Sequence, residues 1–259
     1  MSHRYILASK LDTIESRFGV RATLPDGWDP SVVVAPGDQT LIITRQNPGD
    51  LILSEFGMTP SWAKSKMQLI NARAEGDKNP GNDPSFSGSR AIFLKPAFQK
   101  PLFSQRCIVV ADAYIECSSG ILPKPYLFYL REHRHPIGFA GLFDTWLNPA
   151  NGELHHSFTI ITVPANSLVR SLPFSRMPAI LPFGRESRWL KPTLSLAEIL
   201  GMLEKYPSKQ MNAYPVSGKI LQSGPYSREI LSPTGPKLLS ETRPAPLPQR
   251  SYYEHKKRT

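Results

Sequence analysis

Short runs of β-branched and aromatic residues alternate with proline and glycine breaks along most of the chain. The clearest runs are "TLIITR", "RCIVVADAYIEC", "PYLFYLR", "PIGFAGLF" and "HSFTIITV". Runs of this length that are bounded by turn residues are typical of β-strands. They predict a β-rich α+β fold with a mostly antiparallel sheet or barrel at its centre.

Helical patterns are fewer and shorter. They occur in "PSWAKSKMQLI", "ANSLVRSL" and "SLAEILGMLEKY". In the last of these, Ser195 and Glu198 have the spacing of a capping box ahead of an apolar run. The chain also has 26 prolines and 17 glycines, which favour turns over long helices. We therefore expect only a few helices, at the periphery.

Two segments interrupt this pattern of strands and turns. Residues 76–90, "GDKNPGNDPSFSGSR", form a polar stretch whose length is typical of functional or disordered loops. From residue 233 the chain is rich in proline and ends in a basic cluster, which predicts a flexible tail over 233–259. We expect residues 1–232 to form a single domain. Whether the tail is only solvated or also contacts nucleic acid stays open.

Composition adds a sizeable core and a positive charge to this picture. Hydrophobic residues make up 40% of the chain, and 31 lysines and arginines against 21 acidic residues give a formal net charge of +10. A surplus of this sign favours polyanionic partners, because neutralised phosphates release counterions. A basic surface without such a partner is the alternative, since charge alone does not identify a ligand.

The cysteines and histidines do not indicate a metal site. Cys107 and Cys117 both lie in apolar, strand-like sequence, which suggests neither a disulfide framework nor a zinc site. The pair His155 and His156 has no nearby cysteine or acidic cluster, so we expect no metal and no cofactor. The chain has no charged leader and no apolar run of roughly 18 residues. We therefore expect no membrane contact and a cytoplasmic protein, or a nuclear one if its source has a nucleus.

Several motifs follow one another in a characteristic order. They are "MSHRY", "PSWAK", "NARAE", "RCIVVADAYIEC", "FAGLFD", "FTIITVPAN", "RMPAIL" and "YPVS". Together they resemble the SOS-response-associated peptidase (SRAP) family, whose members trap abasic sites in single-stranded DNA. The resemblance covers roughly residues 1–220. It implies that the partner is single-stranded DNA containing abasic sites.

The resemblance also implies a nucleophile at the amino terminus, and Ser2 occupies that position. Family members lose the initiator methionine and expose a cysteine, whose amine and thiol form a thiazolidine with the ring-opened sugar aldehyde. An α-amine has a pKa of about 7.7–8.0, so about a tenth of it is neutral at pH 7. A hydroxyl closes the ring less favourably than a thiol. We therefore predict a transient, imine-level adduct at Ser2, with a merely tolerated small residue as the alternative.

By the same resemblance, Glu116 and Asn71 complete the catalytic group. Glu116 lies in an apolar run, where a carboxyl group tends towards a raised pKa and can donate a proton. A glutamate on the solvent-facing side of a strand is the alternative. Asn71 is implied to position the terminal residue and the abasic sugar.

Three residues are predicted to bind DNA. Arg4 and Arg73 match phosphate-contacting positions of the family, and their planar guanidinium groups suit that contact. Because Asn71 and Arg73 alternate along an extended stretch, both can face one side. Trp62 offers a flat surface that can stack on an unpaired base. Salt bridges for the arginines, and core packing for Trp62, are the alternatives.

Three further residues are possible members of the pocket. Phe174 stands where the family pattern has a histidine that serves as an acid and base, and phenylalanine transfers no proton. Thr162 lines the pocket by resemblance, although a β-branched residue in a strand needs no function. Glu75 belongs to the "NARAE" motif, and holding Arg73 is its alternative role. The polar loop over 76–90 would lie at the rim of the DNA groove as a lid, an added contact or a tolerated insertion.

Two functions remain in view. In the first, single-stranded DNA follows a basic groove and the abasic aldehyde forms an imine with Ser2, which then reverses or leads to β-elimination. In the second, the protein is a binding module that kept the groove and lost durable crosslinking. The peptidase name implies removal of Met1, for which general methionine processing suffices. We expect a monomer that associates with the nucleoid when it is bound to DNA.

Overall fold

The structure is a computed structural model, and it describes residues 4–25, 28, 31–118 and 123–241. Ser2 and residues 242–259 lie outside this part of the chain. The described strands are β1 Arg4–Ile6, β2 Arg21–Ala22, β3 Val33–Val34, β4 Gln39–Thr44, β5 Asp50–Phe56, β6 Asn71–Arg73, β7 Arg106–Ala111, β8 Ala113–Cys117, β9 Pro125–Leu130, β10 Ile137–Leu147, β11 Leu154–Pro164, β12 Arg176–Pro178 and β13 Met211–Pro215. The helices are α1 Leu11–Phe18, α2 Pro96–Ser104, α3 Ser167–Arg170 and α4 Leu196–Gly201.

The larger sheet closes on itself as a barrel. Strands β11, β10, β7, β4 and β5 are neighbours in that order, and β5 then pairs with β11. This closing pair is parallel and joins Glu55 with Ser157 and Phe56 with Phe158, whereas the other neighbours are antiparallel. Closure removes the exposed sheet edges. The predicted β-rich, mostly antiparallel α+β fold is therefore confirmed.

A second sheet, in the order β13-β9-β8-β1-β3, packs against this barrel. On one of its faces, the ring of Tyr5 lies edge-on to Phe56 and Phe139 of the barrel, with centroids 5.6 and 6.1 Å away. The opposite face has its own apolar cluster, in which Ile6 and Ile115 are buried. Alternation along β1 and β8 thus divides their side chains between the barrel and this outer cluster.

Two of the three predicted helices are present. The "ANSLVRSL" pattern gives α3, and Ser195 and Glu198 form the capping box that begins α4. The prediction of a helix in "PSWAKSKMQLI" is wrong. Residues 59–70 form a loop, in which only Leu69 makes a β-bridge, to Met58. Side chains of the barrel bind this loop: Asp144 accepts from the Ser61 amide at 2.7 Å, and Trp146 Nε1 donates to the Ala63 carbonyl at 2.6 Å.

The first part of the predicted tail lies along β13. The Leu238 amide donates to the Ala213 carbonyl at 2.8 Å, and Asn212 Nδ2 donates to the Leu239 carbonyl at 2.8 Å. Leu238 and Leu239 also pack against the main core. Residues 233–241 are therefore attached to the folded core through β13. A flexible tail over 242–259 stays a prediction.

Candidate functional site

The candidate site lies where β1 meets β8. Arg4, the first described residue, is opposite Ile115 in the antiparallel pair, so Glu116 is one residue further along β8. Ser2 lies outside the described residues, but it is only two positions before Arg4 in the chain. The pairing of β1 with β8 thus brings the amino-terminal segment to the strand that carries Glu116.

Glu116 is buried, with 2% of its surface exposed, and this excludes the solvent-facing alternative. Tyr114 is two residues away on β8, so the two side chains share a face. The ring of Tyr114 lies 6.3 Å from that of Phe139, which places this face against the barrel. Burial, and then the charge of Glu116, raise the pKa of the Tyr114 phenol well above its usual range. Glu116 and Tyr114 therefore belong to one buried polar group.

Asn71 and Arg73 reach the site on β6, which pairs in parallel with β11. Asn71 is opposite Ile160, and Arg73 is opposite Thr162. The alternation predicted for the "NARAE" motif is thus present, because these residues are two apart on a strand. Asn71 also lines a small cleft together with Arg4 and Tyr114. The fold therefore assembles residues from β1, β6 and β8 around one cleft.

Glu75 pairs with Arg176, and both side chains are almost completely buried. Arg176 Nη1 donates to Glu75 Oε1, and Arg176 Nη2 donates to Oε2 at 3.1 Å. Burial alone would raise the pKa of the Glu75 carboxyl, but the hydrogen bonds and charge of Arg176 hold it below its usual 4.5. The alternative that Glu75 holds Arg73 is wrong. The Glu75 carboxylate compensates the buried positive charge of Arg176.

Thr162 belongs to the same buried network. Its Oγ1 accepts from Arg176 Nε at 3.1 Å and from Nη2 at 3.0 Å, and its carbonyl accepts from Nη2 at 2.9 Å. The hydroxyl thus binds Arg176 within the protein. Thr162 supports the β6 edge of the site through this arginine.

Arg73 contacts the polar loop that follows it. Its Nη1 donates to the Asn79 carbonyl at 3.3 Å and to Asn82 Oδ1 at 3.4 Å. Within residues 4–25, 28, 31–118 and 123–241, no other hydrogen bond is made by its guanidinium group. Both partners are neutral, so the positive charge of Arg73 is not compensated by them.

Trp62 is 59% exposed, so the core-packing alternative is wrong. It lies in the loop that precedes β6, directly before Ala63, whose carbonyl Trp146 holds. Lys64, two residues later, is also exposed. The loop therefore presents an indole and a cation to solvent on the approach to Asn71.

Phe174 is buried beside the strand that carries Glu116. Its ring lies edge-on to Tyr126 and Phe128, with centroids 6.3 and 6.0 Å away. Tyr126 is opposite Glu116 in the pair of β8 and β9. Phe174 therefore fills an apolar space next to the site and contributes packing there instead of a proton.

Sequence reasoning did not single out Arg176, Tyr114 and Asn79. A basic residue at the start of the apolar "RMPAIL" run was a signal for Arg176, because burial of an arginine requires a partner. The period of two between Tyr114 and Glu116 was a signal for their shared face. No local signal marked Asn79, since its contacts arise only when the loop folds back on β6.

Neither a metal cluster nor a membrane span occurs in the described part of the chain. None of its helices is long and apolar enough to cross a membrane. None of its groups of histidine, cysteine and acidic residues is arranged to hold a metal ion.

Residues 1–223 match the family model described as "SOS response associated peptidase (SRAP)". The chain belongs to the SRAP family. The match takes in every element of the candidate site, from β1 through β12 to β13. Family membership and the barrel with its second sheet are therefore consistent with one another.

Named relatives and solved structures extend this finding. The abasic site processing protein YoqW of Bacillus subtilis is 32% identical over 240 residues, which cover 89% of this chain and 99% of YoqW. The abasic site processing protein HMCES of Gallus gallus is 30% identical over 191 residues, which cover 62% of this chain and 51% of HMCES. A Bacteroides thetaiotaomicron crystal structure superposes with a TM-score of 0.76 at 29% identity, covering 89% of this chain and 99% of that one.

Proposed function

We propose that this SRAP protein binds single-stranded DNA and processes abasic sites through the α-amine of Ser2. The relatives named as abasic site processing proteins support the abasic site as the substrate. The observation that carries the proposal is the pairing of β1 with β8, which sets Arg4 opposite Ile115, the residue before Glu116. Ser2 is two positions before Arg4, a separation of at most about 7 Å in extended chain, so we expect its α-amine to act near this strand.

The reaction is the condensation of a primary amine with an aldehyde. The neutral amine of Ser2, freed by removal of Met1, adds to the carbonyl carbon of the ring-opened sugar and gives a carbinolamine. Glu116 donates a proton to the departing hydroxyl, water leaves, and an imine remains. The nitrogen proton released in this step returns to the carboxylate, so one water is the only by-product.

The serine hydroxyl limits the reaction to this stage. It is a poorer nucleophile towards the imine carbon than a thiolate, so the adduct stays open to hydrolysis. Phe174 brings no acid or base to the same place. We therefore expect a reversible crosslink that borohydride makes permanent by reducing the imine.

DNA would approach across the β6 side of the site. Arg73 offers a guanidinium whose described partners are both neutral, and Arg4 lines the same cleft as Asn71. Trp62 is exposed for stacking on an unpaired base, a contact worth about 1–3 kcal/mol per base. The formal charge of +10 favours the approach of a phosphate backbone. We place this function in the cytoplasm, with the monomeric protein on the nucleoid when bound.

The second candidate is a binding module without chemistry. The observation that favours it is the burial of Phe174 among aromatic rings, where no proton donor replaces a histidine. In that case DNA would bind through Arg73 and Trp62, and no covalent species would form.

Borohydride trapping separates the two candidates. The protein is incubated with a single-stranded oligonucleotide carrying one abasic site, with and without borohydride, and the products are resolved by denaturing gel and intact mass. We expect a covalent adduct with borohydride, on protein that lacks Met1. Binding by anisotropy without any trapped species supports the binding module, and retained Met1 contradicts the amine mechanism.

The variant Glu116→Gln tests the assigned proton donor. Because it cannot donate that proton, the trapping rate is expected to fall by about 10²-fold or more. The control is Glu55→Gln. Glu55 is a buried glutamate on β5 that pairs with Lys66 in the loop over 59–70. We expect Glu55→Gln to leave the trapping rate unchanged, and an equal loss in both variants would contradict the role of Glu116.

A further inference from the structure

The polar loop over 76–90 has a fixed internal structure. Asn79 is 4% exposed, its Nδ2 donates to the Asp83 carbonyl at 3.0 Å, and its Oδ1 accepts from the Asp83 amide at 2.8 Å. At the base of the loop, the Ile92 amide donates to the Ala74 carbonyl at 3.0 Å. A Cβ on Gly76 would lie 2.9 Å from the Ala91 carbonyl oxygen, so the two ends of the loop meet closely.

The outer side of the loop is attached to the segment after α4. Lys205 Nζ donates to the Pro84 carbonyl at 2.8 Å, and Arg90 Nε donates to the Leu203 carbonyl at 2.8 Å. Arg90 also pairs with Glu204. An insertion that is merely tolerated needs no such attachments. The loop therefore holds its shape against the rest of the protein.

Its inner side contacts both functional residues at the end of β6. The Asn79 carbonyl and Asn82 Oδ1 accept from Arg73 Nη1, and Asn79 Nδ2 donates to Glu75 Oε1 at 3.3 Å. Glu75 is in turn paired with Arg176. One turn of the loop thus connects Arg73 to the buried ion pair two residues further along the chain.

We propose that this turn, residues 79–82, is a positioning element that orients the Arg73 guanidinium towards a DNA phosphate. The inference rests on the proposed function of Arg73. The turn binds Nη1 alone, which leaves Nε and Nη2 without a described partner. Fixing one end of the fork reduces the side-chain freedom that Arg73 loses on binding phosphate.

The chemistry of the turn fits this role. Its two acceptors are neutral, so they orient the guanidinium group without cancelling its charge. The two acidic residues that flank this turn have other partners: the Asp83 carboxylate accepts from the Ser85 hydroxyl, and Asp77 pairs with Lys95 at 2.9 Å. A carboxylate bound to Arg73 would compete with a DNA phosphate for the guanidinium group. The neutral oxygens of Asn79 and Asn82 do not compete in this way.

Asn82→Gly is the variant that removes the side-chain acceptor with least disturbance. Asn82 has a φ of 52°, in the left-handed region that glycine adopts without strain. The matched control is Ser85→Ala, because the Ser85 hydroxyl in the same loop binds Asp83 and no other residue in the described part of the chain. We expect Asn82→Gly to weaken binding to single-stranded DNA roughly 3- to 10-fold. Ser85→Ala should leave the affinity unchanged, and neither variant should change Tm.

A double-mutant cycle with Arg73→Ala distinguishes positioning from a general effect on the fold. If the turn acts through Arg73, Asn82→Gly has no further effect on the affinity once Arg73 is alanine. An equal loss in both backgrounds, or no loss in either, overturns the positioning role while leaving the proposed function intact. If Arg73→Ala itself leaves the affinity unchanged, the phosphate contact fails and the inference fails with it.

Discussion

At the scale of single residues, the Tyr114 hydroxyl stands out because it is buried without a hydrogen-bond partner among the described residues. A buried hydroxyl in this state costs about 1–3 kcal/mol. It lines the cleft with Arg4 and Asn71 and shares a face with Glu116. Proteins tend to keep such unfavourable groups where a substrate uses them.

The variant Tyr114→Phe is therefore expected to raise the free energy of unfolding by about 1 kcal/mol and to slow the formation of the borohydride-trapped adduct. Urea denaturation and a trapping time course measure the two effects. The control is Tyr5→Phe, since Tyr5 is equally buried and also contacts Phe139, but its hydroxyl reaches Thr40 Oγ1 at 3.4 Å. A loss of stability in Tyr114→Phe would contradict the account of its hydroxyl.

Among the structural elements, β6 and β12 depend on the ion pair of Glu75 with Arg176. Because the pKa of Glu75 is lowered in the folded protein, its stabilising effect is present at neutral pH. This effect is lost as pH falls below the usual value of 4.5 and Glu75 takes up a proton. Protonation leaves the buried Arg176 charge unpaired.

We expect Glu75→Gln to lower the free energy of unfolding at pH 7 by about 3–5 kcal/mol. Its stability should then depend less on pH between pH 5 and pH 3 than that of the unaltered protein. Chemical denaturation across this range measures both effects. Glu204→Gln, at an exposed salt bridge with Arg90, is expected to change stability by less than about 1 kcal/mol. A pH dependence unchanged by Glu75→Gln would show that the pair does not stabilise the fold.

The elements also show what the sequence could and could not predict. The strands and the capping box of α4 follow from local patterns, because alternation and capping depend on neighbouring residues. The loop over 59–70 resembled a helix, but its backbone binds Asp144 and Trp146 on strand β10, far along the chain. Helix α1 begins without a side-chain cap and buries only Ile14, and α2 contains Pro101, so neither has a strong local signal.

The candidate site divides in the same way. The spacing of Asn71 and Arg73 predicts their shared side, and the fold places both on β6 as expected. The partner of Glu75 was not predictable, since Arg176 lies on β12 and approaches only through the pairing of β12 with β11. The contacts of Asn79 and Asn82 with Arg73 depend on how the loop over 76–90 folds back. Such long-range contacts leave no periodic pattern in the chain.

For the whole molecule, the charge of +10 predicts DNA binding that weakens steeply with salt. We expect Arg73→Ala to reduce the slope of log K against log salt by about 0.7, the value for one phosphate on a single strand. The control is Arg21→Ala. Arg21 is exposed and lies on β2, where it is opposite Asp50 in the parallel pair with β5. Asp50 is at the other end of β5 from Phe56. An equal change of slope in both variants would mean that charge acts without a defined groove.

The site of attachment tests the central claim most directly. The borohydride-reduced adduct is digested with protease and nuclease, and tandem mass spectrometry locates the sugar remnant on the protein. We predict a remnant on the α-amine of a peptide that begins at Ser2, with Met1 absent. A remnant on a lysine side chain, or an adduct on a chain that retains Met1, would contradict the account.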